Sequence, residues 1–167
     1  LIVASPANPT GTMLGLEEMR GLAGACAEAG AAFISDEIYH GLDFGQKAVS
    51  ALQVTDDVCV INSFSKYFSM TGWRVGWMVV PEAQVRRIER LAQNMFICAP
   101  HASQRLALHA MEETGVLESY RAVYEENRRL MLEGLPRRVH PVRAAGRGVL
   151  RLCRCERSHR GQPRLCR

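Results

Sequence analysis

Four short apolar runs punctuate the first half of the chain, and amphipathic helical patterns fill the second half. Residues 1–5, 31–35, 58–61 and 75–80 are rich in Val, Ile, Leu, Phe and Ala, and each stops at a polar or turn-forming residue. Runs of that length and composition predict buried strands. Between the first two, Leu16, Met19, Leu22, Ala23, Cys26 and Ala27 recur at three- and four-residue spacing and end at Gly30, which predicts a helix over 16–29. A strand, helix and strand joined by short links imply a right-handed crossover and a parallel sheet. Residues 41–57 hold no period and read as a loop. After Pro81 the spacing predicts helices over 83–95, 102–113 and 117–135. The last is long enough to bridge two domains, and its stripe of Tyr120, Val123, Tyr124, Leu130 and Met131 is expected to be core.

Composition changes this picture in two ways. A chain of 167 residues with 47% hydrophobic and 23% charged residues suits one soluble core, and no apolar run approaches the ~18 residues of a membrane span. The chain opens on Leu1-Ile2-Val3-Ala4, as if a strand were already in progress, so a fragment is expected, and no secretory signal pattern precedes it. The net charge of +4 is unevenly spread. Residues 1–136 carry 11 Lys+Arg against 16 Asp+Glu, whereas residues 137–167 carry 10 Arg against the single Glu156. The basic balance therefore belongs to the tail alone. That tail holds no aromatic residue to stack on bases, which disfavours a nucleic-acid arm. Cys26, Cys59 and Cys98 are scattered in the body while Cys153, Cys155 and Cys166 crowd the tail, and none has the paired spacing of a zinc site. Isolated thiols suit a reducing cytoplasm.

Ligands of parallel sheets gather at the carboxyl ends of strands, and there this chain concentrates its chemistry. Asn8 follows the first strand inside Pro6-Ala7-Asn8-Pro9-Thr10-Gly11, Asp36 and Tyr39 follow the second, and Ser63 and Lys66 follow the third, with Arg74 eight residues beyond the lysine. Taken singly, Asn8 can be a turn former and Asp36 a capping acid. Taken together, an amine nucleophile, a carboxyl, a phenol, an amide and a hydroxyl–guanidinium pair suit pyridoxal phosphate. Lys66 would form a Schiff base and move the substrate α-proton. Asp36 would keep the pyridine nitrogen protonated, and Tyr39 and Asn8 would hydrogen-bond the phenolic oxygen. Ser63 and Arg74 would hold the phosphate, a dianion that a guanidinium meets with two parallel bonds.

Three motifs carry a resemblance. Asn8-Pro9-Thr10-Gly11 resembles the N-P-T-G loop of the class I/II, fold type I, aminotransferases. Asp36-Glu37-Ile38-Tyr39 resembles their D-E-x-Y segment, and Ser63 through Gly76 their S-x-S-K…G-x-R-x-G lysine signature. The gaps, 28 residues from Asn8 to Asp36 and 30 from Asp36 to Lys66, are also similar to the family's. The resemblance implies an α/β fold, a three-layer αβα arrangement with a mostly parallel sheet. It covers residues 1 to about 143. Residues 1–116 would be part of the large pyridoxal-phosphate-binding domain, and 117–143 the interdomain helix and start of a small domain. The implied activity moves an amino group between an amino acid and a 2-oxo acid by a ping-pong scheme in a cytoplasmic homodimer. A carbon–sulfur β-lyase on the same scaffold, or an inactive truncated remnant, are the alternatives.

The chain departs from the family at both ends. A glycine-rich phosphate loop and a ring-stacking aromatic are expected upstream, and an arginine gripping the substrate α-carboxylate downstream, and no residue matches them. From residue 144 the pattern fails, and the tail is expected to be disordered or out of frame. Shifted by one base, permissible codons for 145–152 read Pro-Asp-Gly-Ala-Phe-Tyr-Val-Tyr, which resembles a small-domain strand of the family. The nucleotide sequence decides this.

Overall fold

The structure is a computed structural model that describes residues 1–134 together with the backbone of 140–141 and 153–154. Strands β1 (Ile2–Ala4), β2 (Ile34–Asp36), β3 (Cys59–Ser63) and β4 (Gly76–Val79) lie side by side in chain order. The first three are parallel and β4 returns antiparallel to β3. The register sets Ala4 beside Asp36, Asp36 beside Ile61 and Ser63 beside Gly76, so the residues that follow the parallel strands emerge at one edge of the sheet.

Helix α1 (Leu16–Glu28) makes the crossover from β1 to β2. Glu18 accepts from the Gly15 amide at its start, at 2.8 Å. At its end the Gly30 and Ala31 amides donate back to Ala27 and Cys26 at 3.2 and 2.9 Å, closing the last turn before β2. Its apolar stripe packs Met19, Leu22, Ala23 and Cys26 on one sheet face against Val3, Phe33, Val58 and Val60, with Ala51 and Val54 completing the core. Ala51 and Val54 come from the segment read as a loop, which winds into a short 3-10 turn at Ala51–Gln53. Successive strand residues point to opposite faces. Ile2, Asp36, Ile61, Ser63 and Met78 therefore share the other face, where Ile2, Ile61 and Met78 stay exposed.

Helices α2 (Glu82–Met95), α3 (His101–Glu112) and α4 (Thr114–Gly134) follow. A second cluster joins α3 to the lysine loop: Ala107 and Ala110 pack on Phe64, Phe68, Met70 and Val75. Strands β5 (His140–Pro141) and β6 (Cys153–Arg154) pair antiparallel. They are all that is described beyond residue 134, so, Cys153–Arg154 apart, the tail of 144–167 expected to be disordered or out of frame lies outside the described residues.

Burial departs from the periodicity in three places. Leu1 and Ile2 are exposed, Ile2 on the same sheet face as the exposed Ile61 and Met78. All four residues of β4, at the other edge of the sheet, are exposed. The α4 stripe of Tyr120, Val123, Tyr124, Leu130 and Met131, expected as core, is exposed throughout, and of α4 only Leu117 is buried. An apolar stripe states what a helix can bury, and the described residues do not supply its cover.

Candidate active site

Six side chains predicted from the sequence surround the carboxyl edge of β1–β3. Asn8 lies in the turn after β1, where the Ser5–Pro6 and Asn8–Pro9 peptide bonds are cis. Its amide Nδ2 donates to the Tyr39 hydroxyl at 3.3 Å. The Lys66 ammonium sits 5.5 Å from the centre of the Tyr39 ring, within cation–π range. These three residues are brought together directly. Asp36 ends β2, and its Oδ1 accepts from the Ile38 amide at 3.2 Å, which tightens the turn carrying Tyr39.

Ser63 and Arg74 belong to a second group. The Ser63 hydroxyl lies 2.9 Å from Ser65 Oγ and 3.3 Å from the Val75 carbonyl, and it accepts from the Ser65 amide at 3.1 Å. Ser65 O in turn accepts from the Thr71 hydroxyl at 2.7 Å. Arg74 stands in the left-handed region at φ 50°, and its Nη1 donates to Thr71 O at 2.9 Å. A side chain in that region is uncommon and persists where surrounding bonds over-determine it. Close backbone pairing adds another constraint: a Cβ at Gly76 would lie 2.6 Å from the Asn62 carbonyl, so only glycine lets β4 approach β3 beside Ser63. No hydrogen bond is described between the Ser63–Arg74 group and the Asn8–Tyr39–Lys66 group. They share the site through Ser63-Phe64-Ser65-Lys66, packed by the Phe64 ring 4.6 Å from Phe68 and 5.0 Å from Trp77.

Sequence reasoning passed over two residues that hold this arrangement. Glu37 is only 2% exposed. Its Oε1 accepts from the Ser35 hydroxyl at 3.0 Å and the Ala51 amide at 2.8 Å, and Oε2 lies 3.4 Å from His40 Nδ1. His40 Nε2 is 3.0 Å from the Ser5 carbonyl, and a carbonyl only accepts, so that nitrogen carries the hydrogen. Glu37 and His40 thereby tie the ends of β1 and β2 to the turn at Ala51. Tyr67 is the other. Gly41, at φ 89°, presses its backbone on the Tyr67 ring so closely that a Cβ would lie 2.6 Å from it, and the Tyr67 hydroxyl donates to Glu118 Oε1 at 2.7 Å. Burial first, then the Glu118 hydrogen bond and charge, push the Tyr67 phenol up to about 12 against the opposing pull of Arg121. The signal for Glu37 was its place inside the Asp36 motif; for Tyr67 there was none.

An α/β sheet whose strand ends present a lysine, a phenol–amide pair, an acid and a serine–arginine turn defines a class of pyridoxal phosphate enzymes by its donor set. The chain belongs to the family of aminotransferases of class I and II, whose profile matches residues 1–156; members of that family use pyridoxal phosphate. It is 43% identical to valine–pyruvate aminotransferase of Mycobacterium tuberculosis over 82% of this chain and 36% of that protein. It is 38% identical to arginine–pyruvate transaminase of Pseudomonas aeruginosa over 78% of this chain and 34% of that protein. Among solved structures, a Silicibacter pomeroyi protein classed as an aminotransferase is 60% identical with a TM-score of 0.83, covering 89% of this chain and 40% of that one. The chain thus spans 34–40% of the length of these relatives. Among the described residues, no helix is long and apolar enough to cross a membrane, and no cluster of three or more His, Cys, Asp or Glu could hold a metal ion.

Two outcomes follow from this geometry. Glu37→Ala strands the buried Ser35 hydroxyl and Ala51 amide and should lower unfolding free energy by roughly 2–5 kcal/mol in urea titration. Glu37→Gln, which keeps an acceptor oxygen, should cost less; the reverse order contradicts the network. For Tyr67, the folded chain binds more protons than the unfolded chain between pH 10 and about 12, so its contribution is complete below pH 10 and lost as pH rises through that window. Tyr67→Phe should remove that part of the alkaline decline, read as the difference between two pH–stability curves.

Proposed function

We propose that the intact protein is a pyridoxal phosphate-dependent aminotransferase that moves an amino group between an amino acid and a 2-oxo acid, with Lys66 as its central base. The reading rests above all on the meeting of three strand-end residues: the Asn8 amide on the Tyr39 hydroxyl at 3.3 Å, with the Lys66 ammonium 5.5 Å from the same ring. The donor set fits the cofactor, offering an amine for its carbonyl carbon, donors for its phenolic oxygen, a carboxyl for its ring nitrogen, and a hydroxyl and guanidinium for its phosphate. When bound, pyridoxal phosphate supplies a conjugated ring that withdraws electrons from the substrate α-carbon.

Each residue then has a task. Lys66 Nζ would anchor the cofactor and would serve as the base that takes and returns the substrate α-proton. Tyr39 and Asn8, already bonded to each other, are placed to share the phenolic oxygen between two donors. Asp36, on the sheet face shared with Ser63, holds the ring nitrogen protonated. Ser63 and Arg74 bind the phosphate, and Arg74 suits that task because one nitrogen on Thr71 O leaves further N–H donors for the anion. Residues 1–116 act as part of the cofactor domain, and 117–143 lead into the small domain. The two relatives described above are named for pyruvate, so pyruvate is one acceptor to test. We infer a cytoplasmic setting from the isolated thiols Cys26, Cys59 and Cys98.

After borohydride reduction in the presence of pyridoxal phosphate, wild type should retain a pyridoxyl label on Lys66, and Lys66→Ala should not. Transaminase turnover should fall at least about 10²–10⁴-fold in that variant. Labelling equal in both would sink the assignment. Ammonia and pyruvate released from cystathionine without any acceptor would instead favour the β-lyase. The reading also expects a homodimer of the intact protein. Sedimentation at one subunit mass would overturn that.

A further inference from the structure

Tyr67, the residue after Lys66, reaches across 51 positions of sequence to place its hydroxyl on Glu118 of α4 at 2.7 Å. The bond is one part of a longer chain of contacts. The second Glu118 oxygen lies 3.5 Å from Arg121 Nη1, one turn further along the same helix. Arg121 Nη2 donates to the Asp43 carbonyl at 3.0 Å, and its guanidinium carbon lies 5.4 Å from the centre of the Phe44 ring. Asp43 is four residues beyond Tyr39, whose ring faces the Lys66 ammonium. Gly41, between them, presses on the Tyr67 ring. Tyr67, the residue that follows the lysine, and the segment that follows Tyr39 are therefore both anchored to a single turn of α4.

The brace also closes one side of a cavity of about 710 Å³ between residues 40–48 and α4, whose walls include Asp43, Lys47, Glu118 and Arg121. Asp43 and Arg121 on that wall are already committed to partners within the chain, Asp43 Oδ2 to the Ala48 amide at 2.6 Å. The cavity is thus framed by structural contacts, and the consequence lies in the brace.

We propose that α4 positions Lys66 through the Tyr67–Glu118 hydrogen bond, so that displacement of the first turns of α4 is transmitted to the lysine amine. The inference rests on the reading of Lys66 as the cofactor-anchoring amine. Tyr67 and Glu118 are positioning residues under it, since neither need touch substrate. Tyr67 stays protonated, and able to donate, through the whole neutral range, so the coupling is present under any ordinary working condition.

The test uses Tyr67→Phe, Glu118→Ala and the pair in the intact protein. Tyr67→Phe keeps the ring against Gly41 and removes only the hydroxyl. Amide hydrogen exchange over residues 64–70 should quicken roughly two- to tenfold in each single variant, and Tyr67→Phe should add nothing to Glu118→Ala in the pair, because the Tyr67–Glu118 bond is already gone. The pH midpoint of the visible absorbance of bound pyridoxal phosphate should shift in both single variants, with no further shift when Tyr67→Phe is added to Glu118→Ala. Unchanged exchange, additive effects, or faster exchange with an unmoved midpoint each overturn the proposal. Lys66→Ala serves as the separate control. Wild-type absorbance in that variant defeats the lysine reading itself, while the exchange measurement still reports on the brace.

Discussion

A carboxyl group buried at the end of β2 holds the site edge of the sheet together. Removing Glu37 from water is costly unless its oxygens are met by donors. The fold supplies them from separate stretches of chain, Ser35 in the strand and Ala51 in the 3-10 turn, while the second oxygen lies 3.4 Å from the His40 ring, whose other nitrogen donates to the Ser5 carbonyl at the end of β1. Ser5 is itself fully buried, and its hydroxyl accepts from the Leu14 amide at 3.0 Å, which ties down the segment entering α1. The turn that displays Asn8 and the turn that displays Tyr39 are therefore set against each other before either side chain acts. A 3.3 Å bond between two exposed or half-exposed groups would have little power to align them alone.

The lysine loop has its own support, and it is of a different kind. Phe64, Phe68 and Trp77 form a tilted and edge-on ring cluster with centroid separations of 4.6 to 6.3 Å, and Ala107 of α3 packs against Phe64 and Met70. Above that apolar base the backbone turns sharply, with Ser69 and Arg74 both at positive φ, fastened by the Ser63, Ser65 and Thr71 hydroxyls. Lys66 thus projects from a rigid turn on a packed base, half-buried, with its amine over a phenol ring. Lys66 can stand between two apolar strands because it follows the end of β3 and lies in the turn, outside the core.

Much of this was legible in the residues. Strand and helix positions followed from apolar periods, because burial on one face imposes a repeat of 2 or 3.6. Asn8, Asp36, Tyr39, Ser63 and Lys66 were legible as a set because parallel crossovers deliver strand ends to one edge. Glu37 was not separated from its neighbour Asp36 by any local feature. Both are acids at a strand end, and only the alternation of the pleat sends Asp36 to one face and Glu37 into the core beneath. Nothing local distinguishes Tyr67 from Phe64 and Phe68 beside it, or Glu118 from the other acids of α4.

By itself the sequence determined the order of elements, the family and the set of candidate site residues, because periodicity and motif spacing are local properties that one chain carries in full. Tertiary structure decided which of those groups touch and what steadies them. The Asn8–Tyr39 bond, the Glu37–His40 tie and the Tyr67–Glu118 brace join residues 31, 3 and 51 positions apart. Two of the three span separations that no local pattern encodes, and even the short one is defined by its burial. Which apolar stripes become core was likewise a tertiary matter: that of α1 is covered by the sheet, while that of α4 stands exposed, since burial requires a second surface and a stripe specifies only the first.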